Sequence, residues 1–121
     1  MSVDAPEIAK AFVERYYYSL DSDRASLTAS YRDNSMLIFE AETIEGAGDI
    51  MAKLLSIPAG IHDLVGVDSL PGPNGDVCIL VKGSYVINQQ PLGFCEFLQI
   101  MADGEQGYWI LNQIFKFDFE T

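Results

Sequence analysis

Residues 76–119, DVCILVKGSYVINQQPLGFCEFLQIMADGEQGYWILNQIFKFDF, decide the fold. Val77, Ile79, Val81, Gly83, Tyr85 and Ile87 recur at period two, and so do Leu92, Phe94, Leu98 and Ile100. Trp109, Leu111, Phe115, Phe117 and Phe119 continue the pattern, which predicts three successive strands. The connections at 88–91 and 102–107 carry turn residues, so the strands form an antiparallel meander. A face that met water would be polar, yet the opposite one holds Cys78, Leu80, Val86, Cys95, Phe97, Met101, Ile110 and Ile114. A sheet apolar on both sides needs two covers. The helices upstream supply one, and a second protein chain is the expected other.

Upstream, Asp4 and Glu7 have the spacing of a capping box, with Pro6 in the first turn of a helix whose inner stripe is Ile8, Ala11, Phe12, Tyr16 and Leu20. The run Tyr16, Tyr17, Tyr18 wraps around that helix, so at least one ring reaches the surface. Asp21, Ser22 and Asp23 break the pattern and offer caps for a short second helix with Leu27 and Tyr31. Met36 to Phe39 and the stretch around Ile44 read as two short strands. Gly46 and Gly48 then introduce a third helix, with Asp49 in its first turn, Ile50, Leu54 and Ile57 inside, Met51 and Leu55 beside them, and Pro58 as its stop. Ile61 to Leu70 is a weaker strand, and 71–75 is a tight loop. Helices gathered before long strands predict one α+β domain, 1–121, with the helices on one face of a bent sheet. Such a sheet leaves a cone with an opening, the default place for a ligand or a partner's side chain.

Composition narrows the function. A hydrophobic fraction of 49% supports a packed core, and no apolar run approaches a membrane span. Eighteen Asp and Glu against seven Lys and Arg give a net charge of −11, which disfavours nucleic acid and anionic membranes as partners. The N-terminus lacks the apolar core of a signal peptide, which points to the cytoplasm and nucleus. Cys78 and Cys95 lack metal-ligand spacing and read as buried thiols.

Little catalytic chemistry is present. His62 is the only histidine, and next to Asp63 it reads as a structural imidazole. No phosphate loop or metal cluster is present, and no cofactor is expected. Glu96, mid-strand on the face of Phe94 and Leu98, has two readings: a general base inside the cone, or the favoured one, an interface or edge carboxylate bonded to a neighbouring strand. Glu40, Glu42 and Glu45 beside Phe39 form either a solvated acidic turn or a docking rim.

Phe12-Val13-Glu14-Arg15-Tyr16-Tyr17, Asp21-Ser22-Asp23-Arg24, Leu27, Tyr31, Phe39-Glu40, Ile44-Glu45-Gly46, Lys53-Leu54, Ile57-Pro58, Gly93-Phe94 and Trp109 to Phe117 together make the chain resemble the nuclear transport factor two family. These are small homodimers that carry GDP-bound Ran through nuclear pores. The resemblance implies a strongly bent, mostly antiparallel sheet forming a cone with a hydrophobic cavity, dimerisation through the outer sheet face, contacts with Phe-Gly nucleoporins, and no catalysis. It places Glu40 where a family carboxylate meets a cation of Ran, Phe39 at a tryptophan position at the cavity mouth, and Ile57, Ile87, Leu92, Phe115 and Phe117 at cavity-lining positions. The chain departs from the family in two places. Asn88, Gln89 and Gln90 stand where acidic residues pair with a Ran lysine, and Ala5 stands near an aromatic that holds nucleoporin repeats. The same fold class hosts small isomerases and dehydratases, to which Tyr16, Tyr31 and Glu96 are recruitable, and a plain dimerisation module is a third reading.

Overall fold

The computed structural model describes residues 4–104 and 107–118, so Phe119 lies outside the described residues. Asp4 opens α1 (Ala5–Ser22): its carboxylate accepts the Glu7 N–H at 3.3 Å, and Pro6 sits where its missing N–H costs nothing. The buried stripe is Ala5, Ala9, Phe12, Val13, Tyr16, Tyr17 and Leu20. Ala11, expected inside, is exposed. Tyr18 is the tyrosine that reaches solvent, at 74% exposure.

The short second helix is a 3₁₀ segment, Arg24–Ser30, with Leu27 buried and Tyr31 already extended behind it. Ser26 and Thr28 favour that tight winding because their hydroxyls donate to the carbonyls of Asp23 and Ala25, at 2.7 and 2.9 Å. β1 (Met36–Phe39) and β2 (Glu42–Glu45) form the expected hairpin, and α2 (Ala47–Ser56) follows. Ile50, Met51 and Leu54 of α2 are buried, but Leu55 faces water at 56% exposure. Among the described residues no helix is long and apolar enough to cross a membrane.

β3 (Ile61–Pro71), β4 (Val77–Ile87), β5 (Gln90–Ala102) and β6 (Tyr108–Phe117) complete a six-stranded sheet in the order β2-β1-β6-β5-β4-β3. All neighbours are antiparallel except β1 and β6, which run parallel. β3 is a full strand of 11 residues, one more than the expected 61–70, because Pro71 still pairs with Val77. The turn between β4 and β5 is tighter than expected, with Asn88 and Gln89 both at positive φ, 51° and 65°.

Two register shifts bend the sheet. Val65 is the extra residue where β3 pairs with β4, and Leu111 where β6 pairs with β5. The second shift corrects the assignment of faces along β6. Beyond it Ile110 is opposite Ile100 in the core, fully buried, while Trp109 lies opposite Met101 on the outer side. The inner face elsewhere is as read, with Val77, Ile79, Val81, Tyr85, Phe94, Leu98 and Phe115 buried. The outer face keeps Leu70, Leu80 and Ile114 exposed at 71%, 43% and 37%.

At Gly83 the backbone of β3 leaves no room for a side chain on β4. A Cβ there would lie 2.4 Å from the Asp63 carbonyl oxygen and 3.1 Å from Leu64 Cα. Gly83→Ala is therefore expected to push β3 off β4 and destabilise the fold by about 1–3 kcal/mol in chemical denaturation. A parent-like midpoint would show that β3 is not held at this contact.

Candidate functional site

The cone opens at the end of the sheet where β1 finishes and β6 runs out. Phe39 and Phe115 stack there at 4.9 Å between centroids, and Phe117 stands edge-on to Phe115 at 4.9 Å. With Ile57, these rings form the mouth of a cavity whose walls include Leu20, Leu37 and Leu54. Its free volume is about 20 Å³, room for one water molecule.

Arg24 holds this end together. Its Nε donates to the Leu20 carbonyl at 3.0 Å, and one Nη donates to the carbonyls of Leu54 and Ile57 at 2.8 and 2.7 Å. The other Nη reaches the Tyr85 hydroxyl at 3.3 Å, and that hydroxyl donates to the Pro58 carbonyl. Beside it His62 packs flat on Tyr85 at 4.2 Å, with Nδ1 2.6 Å from Asp21 Oδ1. Burial outweighs the Asp21 carboxylate and lowers the imidazole pKa below its ordinary value, so Nδ1–H of a neutral ring donates to Asp21. His62 has a carboxylate partner, as expected, but it comes from α1 rather than from Asp63, and the imidazole lines the cavity.

Glu96 lies inside the cone, not at an interface or edge, and it is 3% exposed. The Tyr17 hydroxyl donates to its Oε1, and Gln113 Nε2 donates to its Oε2 at 2.6 Å. Gln113 also donates to the Tyr16 oxygen at 2.9 Å and accepts from Tyr31 at 2.6 Å. Burial pushes Glu96 up to about 7 against these hydrogen bonds, which favour the charged form. Burial raises Tyr16, Tyr17 and Tyr31 as well, so all three stay neutral phenols at ordinary pH. Sequence reasoning missed Gln113. The signal was a second polar residue on an inner face: Glu96 sits opposite Phe115 and Gln113 opposite Leu98, which makes the two diagonal neighbours across β5 and β6.

The residues expected at the site divide into groups. Phe39, Ile57, Phe115 and Phe117 line the cavity, whereas Ile87 and Leu92 do not; both are half-buried nearby, with Leu92 paired to Tyr85. Glu40 is not an open turn carboxylate. It is half-buried at φ 60°, its N–H donates to the Phe115 carbonyl at 2.9 Å, and its Oε1 accepts the Phe117 N–H at 3.4 Å. Glu42 pairs with Lys53 at 3.0 Å, and Lys53 Nζ stands 5.0 Å from the Phe39 ring centroid. Asn88 and Gln90 are exposed at the β4–β5 turn, which register places at the same end of the sheet as Phe117. Cys78 and Cys95 are half-buried free thiols, and among the described residues no cluster of three or more His, Cys, Asp or Glu could hold a metal.

Comparison with known proteins agrees with this architecture. A nuclear transport factor 2 (NTF2) domain model matches residues 8–117. A nuclear transport factor 2 from Kluyveromyces lactis is 39% identical over 126 residues, covering 100% of each chain. One from Neurospora crassa is 40% identical over 120 residues, covering 96% of this chain and 97% of its own. The solved nuclear transport factor 2 from Cryptosporidium parvum superposes with a TM-score of 0.90 at 29% identity, covering 97% of this chain and 100% of that one. The cone of helices and bent sheet, with an aromatic mouth and full-length likeness of this degree, places the chain in the nuclear transport factor 2 family.

Proposed function

We propose that the chain is a nucleocytoplasmic carrier: a homodimer that takes GDP-bound Ran at the open end of the cone, passes nuclear pores on weak contacts with Phe-Gly nucleoporins, and performs no catalysis. The whole chain, 1–121, acts as one domain that moves between cytoplasm and nucleus. The observation that carries this reading is the aromatic mouth, where Phe39, Phe115 and Phe117 rim the open end of the cone and Glu40 is fixed beside them. Relatives that match the full chain bear the name of a nuclear transport factor, which supports the same reading. On the outer sheet face Leu70, Leu80 and Ile114 remain open, as a dimer interface of roughly 1,200–2,000 Å² in total requires.

A small isomerase or dehydratase is the second reading, and Glu96 among three tyrosines favours it. Against it, Tyr17 and Gln113 occupy both Glu96 oxygens, and the cavity has room for one water rather than a substrate.

Glu40 is expected to be the main ionic anchor for Ran-GDP, because Asn88 and Gln90 carry no charge. Removing it strands the partner's cation, at a cost of roughly 2–5 kcal/mol. Glu40→Lys should weaken Ran-GDP binding at least about thirtyfold in calorimetry. It should also lose a little stability, about 0.5–1.5 kcal/mol, because Glu40 Oε1 no longer accepts the Phe117 N–H. Gln90→Asp should tighten binding and steepen its salt dependence. Parent-like binding by Glu40→Lys would put the docking site elsewhere. Sedimentation is expected to give a dimer at micromolar concentration, and a monomer there would remove the outer face from the scheme.

A further inference from the structure

Helix α1 carries a second stripe that the fold leaves uncovered. Ile8, Ala11, Phe12 and Arg15 stand at positions i, i+3, i+4 and i+7, and Ser19 extends the row by one more turn. Phe12 is buried, Ile8 and Ser19 are half-buried, and Ala11 and Arg15 are exposed. Because Ala11 and Ser19 are small, the row is a trough rather than a ridge. Tyr108, at the start of β6, walls it beside Ile8, Ala11 and Phe12, and the 3₁₀ segment walls its farther end with Leu27 and Ser30. The trough has two lobes that meet at Phe12, Arg15 and Tyr108, with free volumes of about 330 and 340 Å³. Each is far larger than the 20 Å³ inside the cone, and of the lining residues only Tyr16 also touches that cavity.

The polar groups around the trough are rich in donors and poor in acceptors. Arg15 forms no ion pair among the described residues, although the chain has eighteen Asp and Glu against seven Lys and Arg. Its helical neighbours explain this. At i±3 and i±4 stand Phe12, Tyr18, Ala11 and Ser19, so α1 offers it no carboxylate. The side-chain hydroxyls of Ser19, Ser30 and Tyr108 also make no hydrogen bond among the described residues. Asp103, at the edge of the trough, already accepts the Gly107 N–H at 3.1 Å. A guanidinium and three hydroxyls beside apolar carbon suit a ligand with an apolar body and an anionic acceptor at one point. A carboxylate meets this better than a phosphate, since a chain of net charge −11 repels a dianion more strongly than a monoanion. The row from Ile8 to Ser19 is about 16 Å long at the rise of a helix, which matches a peptide of several residues.

We propose that this trough is a docking site for a peptide segment of a partner protein in which an apolar side chain is followed by Asp or Glu. The apolar side chain lies in the lobe of Ile8, Ala11 and Tyr108, and the carboxylate meets the Arg15 guanidinium. Ser19 and Ser30, in the other lobe, donate to the peptide's carbonyls. The site is separate from the aromatic mouth, so it stands whether or not the mouth takes Ran-GDP, and the two can be filled together.

The test is fluorescence anisotropy of the full chain with two labelled peptides, Ser-Leu-Phe-Glu-Ser and its neutral counterpart Ser-Leu-Phe-Gln-Ser, with nuclear magnetic resonance to place the contact. The acidic peptide should bind saturably with Kd below about 1 mM, and at least about tenfold more tightly than the neutral one, as a charge-assisted hydrogen bond requires. Amide signals of residues 8–19, Gly107 and Tyr108 should shift, while those of Phe39 and Phe117 stay in place. Arg15→Gln should bring the acidic peptide down to the affinity of the neutral one. Arg15→Glu should reverse the preference and favour Ser-Leu-Phe-Lys-Ser. Arg15 is exposed and unpaired, so both variants should melt as the parent does. Ala11→Gln, which fills the trough without removing the cation, should weaken the acidic and neutral peptides alike. No saturable binding, equal affinity for the acidic and neutral peptides, an unchanged preference in Arg15→Gln, or shifts confined to the aromatic mouth overturns the inference and leaves the proposed function standing. Binding of free phenylpropionate as tightly as the acidic peptide also overturns it, because the trough would then be a site for small acids.

Discussion

The guanidinium of Arg24 is the contact on which the cone depends. It bonds carbonyls at the C-terminal ends of both helices, Leu20 of α1, Leu54 of α2 and Ile57 just beyond α2, and reaches the sheet through Tyr85. Helix ends leave carbonyls without partners and carry partial negative charge, so one planar cation with several donors satisfies them together. A lysine could not span these acceptors with one compact charge. Fixing the two helix ends against β4 keeps the mouth at a set width, and the stacked phenylalanines fill its edge rather than collapse into it.

Within that frame the cavity has two chemically opposed ends. Its mouth is aromatic and aliphatic, and its inner end is a closed hydrogen-bonded cluster of three phenols, an amide and a carboxylate. An apolar filling would avoid the desolvation of Glu96, so the cluster weakens the fold at alkaline pH relative to an all-hydrocarbon core. In exchange the inner end has a fixed shape, because each hydroxyl is held by a specific neighbour instead of sliding against a greasy wall. The same cluster ties α1 to β5 and β6, the strands that carry the mouth.

Much of this was legible in the residues. Period-two alternation from Val77 to Ile100 revealed the inner face of β4 and β5, and Gly46 with Asp49 marked the start of α2. Alternation fails where the backbone inserts a residue, and nothing in the local composition around Leu111 announces that insertion, so the inward burial of Ile110 and the outward place of Trp109 were hidden. Burial of the 3₁₀ segment rests on Leu27 and on contacts far away in the chain. Glu96 was visible as an oddity, but its destination depended on Gln113 and Tyr17, 17 and 79 positions distant, which only the folded sheet brings together. The mouth residues Phe39, Phe115 and Phe117 were found through resemblance. Ile87 and Leu92, found the same way, stop short of the cavity because β4 and β5 carry them past its edge.

The parallel pairing of β1 with β6 has a consequence for how the molecule comes into being. β6 sits between β1 and β5, so while a ribosome is still making residues before Tyr108 the emerging chain has two unfinished edges and no closed cone. Met36 must wait for Asn112, a partner 76 residues later, and contacts of such long range form slowly. During that interval the apolar strip of β5 and the hairpin of β1 and β2 are open to stray pairing, the condition in which nascent chains depend on chaperones. A slow or stalled ribosome would thus hazard this protein more through its sixth strand than through any of its helices.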